Sequence, residues 1–322
     1  MPALALAAVR RVAWLALLLL TLPGTGPVRA ARFPLDCTLG RDCWVVRVPG
    51  PRALAGGVDG PWSPADEDHR GLDIAVPDLL AMIEGIAVRA LVAGTVVAVR
   101  DGEADGALGR RGREAVAGRE CGNGVRIRAA DGLLVQYCHL RRGSVMVRRG
   151  DRVDAGALLG LVGLSGLTNF PHLHLQLARE GWLLDPRARF PELFGPIGDP
   201  RAGPLPVVTG VGLAVRPPRL AQVLRGDFRG LRRVARTAPA LVLWVRAFHL
   251  RRGDLVDFRI RGPEGRLLFQ QLTEVEKDRA LGMRYAGRRR PGGGWRPGTY
   301  RAEVTVRRGD AVRRETFTFT VE

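Results

Sequence analysis

Lysine is almost absent from this sequence of 322 residues: all but one of its 50 basic residues are arginine, and Lys277 is the exception. A GC-rich genome also produces an arginine bias, so we do not take the net charge of +18 as evidence for a nucleic-acid partner. We expect no such partner. After residue 30 the sequence lacks any apolar run of the ~20 residues that a membrane-spanning helix requires. The hydrophobic content of 46% nevertheless supports ordinary folded cores.

Residues 1–30 are predicted to be a signal peptide. Arg10 and Arg11 give a positive start, the stretch 12–22 is apolar, and the segment ends in a small alanine suited to cleavage. The apolar stretch is short for a membrane span, although an uncleaved N-terminal anchor is the alternative. We expect the mature chain to begin near Ala31 and to be periplasmic or secreted.

Cysteine is scarce, and its four residues fall in two close pairs. An even count in an exported chain favours disulfides over a thiol catalyst, with four free buried thiols as the alternative. A bond between Cys37 and Cys43 would close a small loop. Cys121 and Cys138 flank a hairpin pattern that turns at 130–132, so they are expected to face each other across two strands.

Short strands separated by glycine-rich turns predict a mainly β chain. We expect a disulfide-containing N-terminal segment at 31–60, a compact antiparallel domain at 61–198, a linker at 199–206 and a basic, immunoglobulin-like β-sandwich at 207–322. A short apolar segment at 79–86 predicts one or two helical turns. The predicted strands are 87–92, 94–99, 125–128, 133–139, 143–147, 156–162, 172–177, 241–245, 255–260, 266–272, 299–307 and 315–321.

The positive charge belongs to the end of the chain. Residues 31–204 hold 22 basic and 21 acidic residues, whereas residues 205–322 hold 25 basic and 11 acidic residues, a net of +14. Such a surface attracts anionic partners by long-range steering. An arginine-rich surface that binds only water and counterions is the equally weighted alternative.

Histidine is also scarce, with five residues, and two of them lie one residue apart in Pro171-His172-Leu173-His174. Apolar residues alternate with them, which predicts a strand with both imidazoles on one face. Two further histidines lie in His69-Arg70-Gly71-Leu72-Asp73 and in Tyr137-Cys138-His139-Leu140. The fifth, His249, has no partner at metal-ligand spacing and is interpreted as an ordinary surface or core residue.

These residue types suit a catalytic zinc site, which takes three protein ligands and leaves one position for water. His69, Asp73 and one of His172 and His174 satisfy that number. The two histidines left over are then available for general acid–base steps. A satisfied structural histidine pair is the alternative for 172 and 174, but it leaves the joint pattern unexplained.

The sequence resembles the lysostaphin/LytM-type zinc metalloendopeptidases, which cut peptidoglycan cross-links. The three histidine motifs carry the resemblance, and the glycine pattern at 147–163 supports it over about residues 60–190. The resemblance implies a compact antiparallel β fold with the site in a groove. It further implies that His69, Asp73 and His174 hold one Zn²⁺ ion and that His139 and His172 are the catalytic pair.

One insertion and two single residues differ from relatives of this family. About a dozen residues at 77–88 separate the first motif from the next strand, and we expect this insertion to line or partly cap the groove. Ala129 stands where many relatives have a histidine, and Trp62 lies where some have a tyrosine. The glycine pattern also resembles biotinyl/lipoyl-type modules, but those carry a modifiable lysine at a turn, and Lys277 lies elsewhere.

The sequence therefore predicts an exported zinc metalloendopeptidase that hydrolyses peptide bonds in peptidoglycan stem peptides or cross-links. The alternative is a wall-binding regulator of cell-wall hydrolysis that cuts weakly or not at all. The basic C-terminal part is expected to meet an anionic wall or membrane surface. Which bond is cut, and whether residues 31–60 cover the groove, stay open.

Overall fold

The computed structural model of the protein describes residues 31–56, 68–106, 109 and 112–322. The predicted signal peptide and Trp62 lie outside the described residues. In the part of the chain that is described, no helix is long and apolar enough to cross a membrane.

One large antiparallel sheet organises the first part of the chain. Its strands and those of a small neighbouring sheet are β1 (Trp44–Arg47), β2 (Leu72–Ala75), β3 (Ala87–Arg89), β4 (Gly94–Arg100), β5 (Asn123–Arg128), β6 (Leu134–Leu140), β7 (Arg152–Val153), β8 (Leu158–Leu161), β9 (His172–Arg179) and β10 (Trp182–Leu184). The large sheet has the order β1-β2-β9-β6-β5-β4-β7, with β10 paired to β9, while β3 and β8 pair separately. The short helices are α1 (Pro51–Gly56), α2 (Leu79–Glu84), α3 (Pro186–Arg189) and α4 (Pro191–Phe194), with a 3₁₀ turn at Arg113–Val116.

Strand β9 lies in the middle of this sheet, and its period of two places the site. Leu173 and Leu175 belong to the apolar core, so the alternate residues His172 and His174 face the other side of the sheet. The antiparallel register with β2 sets Asp73 opposite His174. The predicted strand and its histidine face are therefore confirmed.

Both predicted disulfides are present. Cys37 is bonded to Cys43, and Cys121 is bonded to Cys138. The second bond links the segment before β5 to β6, the strand that ends in His139 and Leu140. It therefore ties together two segments beside the site.

Residues 143–147 do not form the predicted strand. The chain turns instead, because both the backbone N–H and the hydroxyl of Ser144 donate to the carbonyl of Arg141, at 3.1 and 2.8 Å. Met146 then donates a backbone hydrogen bond to Leu159 at 3.0 Å. The local hydroxyl bond competes with the strand ladder.

The predicted short helix at 79–86 is confirmed as α2.

The second part of the chain is a sandwich of two sheets. Its elements are β11 (Val207–Ala214), α5 (Leu220–Arg225), β12 (Arg233–Val234), β13 (Ala240–Leu250), β14 (Leu255–Arg261), β15 (Leu267–Glu274), β16 (Arg279–Arg289), β17 (Gly298–Arg308) and β18 (Ala311–Val321). One sheet has the order β11-β13-β16 and the other β12-β18-β17-β14-β15. Phe258, Tyr300 and Phe319 belong to one buried core with residues of both sheets. The predicted sandwich is confirmed, and its immunoglobulin-like assignment stays a prediction.

The insertion at 77–88 lies against the sandwich. The guanidinium of Arg229 forms an ion pair with Glu84 of α2 and lies 3.6 Å from Asp78, the residue that caps the helix. Gly226 sits so close to α2 that a Cβ atom there would lie 2.8 Å from the Cβ of Leu80. The insertion therefore serves as a contact surface between the two parts of the chain.

Candidate metal and catalytic site

Three predicted ligands come together on β2, β9 and the segment just before β2. Asp73 Oδ1 lies 2.8 Å from His174 Nδ1 and 3.1 Å from His69 Nε2. One ligand atom from each residue lies within 4.8 Å of the others, and all three side chains are buried. The register between Asp73 and His174 makes this contact, because directly paired residues of neighbouring strands project to the same face.

Backbone carbonyls fix the tautomers of the imidazoles. His69 Nδ1 lies 3.0 Å from the carbonyl oxygen of Val48, the residue that follows β1. Because a carbonyl only accepts hydrogen bonds, Nδ1 carries a proton, and Nε2 is the ring nitrogen that faces Asp73. A hydrogen bond from the second ring nitrogen is the usual way in which proteins orient a metal-binding histidine.

The remaining pair is oriented in the same way. His139 Nδ1 donates to the carbonyl of Ser165 at 2.8 Å, and His172 Nδ1 donates to the carbonyl of Phe170 at 3.0 Å. Their ring centroids are 4.7 Å apart. His172 Nε2 lies 3.4 Å from Asp73 Oδ1. The structure thus brings all five sequence-predicted site residues into one cluster.

The donor set fits a divalent metal ion. When the imidazole of His69 is neutral, its Nε2 atom and the carboxylate of Asp73 are both hydrogen-bond acceptors. The two groups then repel each other unless a proton or a cation lies between them. Nitrogen and carboxylate donors in a group of three match the ligands of zinc in catalytic sites. His69, Asp73 and His174 are therefore suited to hold a metal ion.

Burial shifts the acid–base behaviour of the cluster. Desolvation, together with the charges of His172 and His174, holds the pKa of His139 well below its usual range. Desolvation also lowers the pKa of His174 to about 4. For Asp73, burial acts to raise the pKa, but the charges of His69 and His172, together with hydrogen bonds from His172 and His174, outweigh it and hold that pKa well below the usual range. Near neutral pH the cluster therefore contains a carboxylate with neutral His139 and His174.

Gly71 lies directly against His174. A Cβ atom at this position would lie 2.5 Å from the carbonyl oxygen of Leu175 and 2.8 Å from His174 Nε2. Contacts this short require the ring or the strand to move. Glycine between His69 and Asp73 is thus needed for the close approach of the first motif to β9.

We expect Gly71→Ala to displace His174, because the added methyl group has no space. Overpacking of this kind costs about 1–3 kcal/mol in the free energy of unfolding, and metal affinity should fall with it. Thermal unfolding and metal titration measure the two effects. Gly198→Ala is the matched control, since a Cβ atom there meets nothing within 4 Å. Equal metal affinity in the two variants would contradict the proposed packing constraint.

The site opens into a groove with a volume of about 320 Å³. Three arginines line it, namely Arg47 of β1, Arg70 and Arg113. Arg47 Nη1 lies 3.8 Å from Asp73 Oδ2. Asp68 also lines the groove, so its described lining carries three arginines against two carboxylates. This excess of positive charge favours an anionic group on the bound molecule.

The insertion was expected to line or cap the groove, and this expectation is wrong for the residues described. None of the described groove-lining residues comes from 77–88. Apolar and charged contacts hold α2 against the sandwich instead. From the N-terminal segment, by contrast, Arg47 lines the groove and the carbonyl of Val48 orients His69.

Sequence reasoning missed the residues that orient the histidines. The partners supplied by Val48, Ser165 and Phe170 are backbone carbonyls, which every residue possesses and which no motif marks. Thr168 was missed as well, although its hydroxyl lies 3.2 Å from His172 Nδ1 and donates to the carbonyl of Phe170 at 2.8 Å. A hydroxyl four residues before a site histidine is the only signal that pointed to it.

Residues 67–186 match the family model described as peptidase family M23. Over these residues the chain is similar to the M23 peptidases, and we call this segment the M23 domain. All five site residues fall inside the matched range, whereas Arg47 and Val48 lie before it. The M23 domain therefore receives part of its groove from the preceding segment of the chain.

Several solved structures are similar to this chain. A mutant catalytic domain of the prophage-encoded M23 protein EnpA from Enterococcus faecalis is 26% identical, with 40% of this chain and 82% of that chain covered and a TM-score of 0.28. The catalytic domain of the antimicrobial peptidase lysostaphin from Staphylococcus simulans is 22% identical, with coverages of 46% and 99% and a TM-score of 0.30. A zinc-containing peptidase from Vibrio cholerae is 22% identical, with coverages of 49% and 39% and a TM-score of 0.34.

Proposed function

We propose that this protein is an exported zinc metalloendopeptidase that hydrolyses peptide bonds in peptidoglycan stem peptides or cross-links. The observation that carries the proposal is the buried convergence of His69, Asp73 and His174, with His139 and His172 beside them. The M23 match supports the peptidase chemistry. The resemblance of the histidine motifs to cell-wall endopeptidases supports the substrate. A complete set of ligands and catalytic histidines favours a cutting enzyme over a wall-binding regulator.

In this proposal His69, Asp73 and His174 hold one zinc ion. When bound, zinc would act as a Lewis acid that lowers the pKa of a water molecule from its far higher bulk value to about 7. His139 accepts the proton of the attacking water at Nε2, because its Nδ1–H is committed to the carbonyl of Ser165. The low pKa of His139 keeps that atom unprotonated at neutral pH.

Bond cleavage then needs a proton donor and stabilisation of the developing oxyanion. The oxygen of the water bonds to the scissile carbonyl carbon, the C–N bond breaks, and the proton held by His139 passes to the departing amine. His172, whose Nε2 faces the site, stabilises the negative charge that develops on the carbonyl oxygen. A single oxyanion donor typically contributes ~10²–10³ in rate.

Export is part of the proposal. The two disulfides persist only in an oxidising compartment, which supports a periplasmic or secreted location. The predicted signal peptide at residues 1–30 points the same way. We propose peptidoglycan as the main partner, with an anionic wall or membrane surface as a partner of the basic segment 205–322.

The three arginines of the groove favour a substrate with a free carboxylate near the scissile bond over a neutral glycine bridge. We expect Arg113→Gln to raise KM about fivefold for a stem-peptide dimer with free carboxylates, since an exposed ion pair contributes up to ~1 kcal/mol. KM should be unchanged for the same dimer with amidated carboxylates. Arg41→Gln is the control, because Arg41 is exposed and lies outside the groove. An equal effect of Arg113→Gln on both dimers would contradict the preference.

The proposed function is tested by incubating the purified protein with murein and measuring released peptides, with and without a chelator. We expect peptide-bond products that vanish with chelator and return when Zn²⁺ is added. Absence of products under every condition would favour the regulator.

A further inference from the structure

The C-terminal sandwich packs against the M23 domain close to the catalytic groove. Phe248 of β13 is buried in a small apolar cluster with Val46 of β1 and Ala75 of β2. Phe170, from the wall of the groove, packs against the same cluster. A side chain of the sandwich thus contacts a residue that lines the site.

Polar contacts fix this docking. His249 Nε2 donates to the carbonyl of Val46 at 2.6 Å. Arg246 is only 4% exposed, and its guanidinium donates to the carbonyl of Pro77 and, at 3.0 Å, to the carbonyl of Thr209. Burial of a charged group is costly unless its donors are satisfied, so sliding of the sandwich would leave these groups without partners.

Phe170 connects the docked sandwich to His172. On one side its ring meets Phe248 edge to face, with centroids 4.9 Å apart. On the other side it stacks on the imidazole of His172 with centroids 4.4 Å apart and an interplanar angle of 24°. The carbonyl of Phe170 also accepts the Nδ1–H of His172. The edge-to-face contact and the stacked contact are both geometries that aromatic pairs favour.

We propose that Phe248 is a positioning residue for the peptidase reaction, acting through Phe170 on the imidazole of His172. Phe170 is only half buried and precedes β9, so it lacks strand pairing to hold its ring. Phe248 supplies that support from the sandwich. The proposal rests on the proposed function, and it makes the C-terminal domain part of the catalytic apparatus.

The test compares Phe248→Ala with Phe317→Ala in the full-length, zinc-loaded protein. Phe317 is a partly buried phenylalanine packed on the core of the same sandwich. With a soluble stem-peptide dimer we expect Phe248→Ala to lower kcat by about 10- to 100-fold, since small misplacements of catalytic groups have effects of this size. KM and zinc stoichiometry should stay unchanged, and Phe248→Leu should restore most of kcat because it refills the apolar space.

The imidazole proton resonances of His172 give a second measurement that does not depend on hydrolysis. The stacked ring of Phe170 shifts these resonances, so Phe248→Ala should move them and Phe317→Ala should leave them in place. Unmoved resonances overturn the proposal, as does a kcat equal to that of the control in an active wild type. A wild type without hydrolysis would instead overturn the proposed function, and the resonances alone would then decide the proposal.

Discussion

Replacing His174 with alanine is expected to abolish both metal binding and hydrolysis of murein. His174 provides one of three buried ligand atoms around the site. Without His174 only His69 and Asp73 remain as ligands, whereas a catalytic zinc site takes three protein ligands. The activation of water that is lost corresponds to almost nine pKa units, about 12 kcal/mol. Metal analysis of the purified variant and muropeptide release measure the two losses.

His249→Ala is the matched control for this prediction. His249 is the fifth histidine of the chain and contacts Val46 rather than the metal cluster. The His249→Ala variant should bind one zinc ion per chain, like the wild type. Retention of stoichiometric zinc and full activity by His174→Ala would contradict the assigned ligand set.

Replacing His139 with alanine is expected to leave the metal bound and to lower kcat by about 10²–10⁴, the usual contribution of a general base. His139 is not in the ligand cluster, and its Nδ1–H bonds to Ser165. A variant without it therefore keeps His69, Asp73 and His174. The decisive comparison is zinc content against kcat for the same stem-peptide dimer. Loss of zinc in parallel with loss of activity would show that His139 acts as a ligand or as structural support.

His139→Gln separates the proton-transfer role from packing. An amide group keeps a polar side chain of related length next to Ser165 but takes up no proton at neutral pH. We expect it to be as inactive as the alanine variant, with a thermal unfolding temperature closer to that of the wild type. A glutamine variant with near wild-type kcat would contradict the role of His139 as base.

The candidate site could be predicted because its chemistry is concentrated in rare residues. Only five histidines occur in the chain, and the period of two in β9 places His172 and His174 on one face. The structure brings them together with His69, Asp73 and His139. The two cysteine pairs were predictable for the same reason, since an exported chain with few cysteines has few ways to pair them.

The contacts that orient the site could not be predicted, because they come from the backbone and from tertiary packing. Val48 lies 21 residues before His69, and only the pairing of β1 with β2 brings its carbonyl to the imidazole. The prediction that the insertion at 77–88 lines or caps the groove was wrong for a similar reason. Its apolar residues indicate a short helix, but they do not indicate whether the groove or the sandwich covers it.

Some strands were missed because local sequence was a weak guide. β16 carries Gly282 and Gly287 among arginines, which obscures the alternation of apolar and polar residues. A Cβ atom at Gly287 would lie 2.2 Å from the backbone of Leu241, so close approach of β13 requires glycine there. Such a glycine reads as a turn signal in the sequence, although it is a packing requirement in the sheet.

Mass spectrometry of purified murein after digestion by the zinc-loaded, full-length protein tests the central claim most directly. We predict new peptide termini, produced by hydrolysis of a stem or cross-link peptide bond, with intact glycan strands and with no products after chelation. Murein that is unchanged under every condition, or peptide products that persist after complete removal of the metal, would contradict a metal-dependent endopeptidase built on His69, Asp73 and His174.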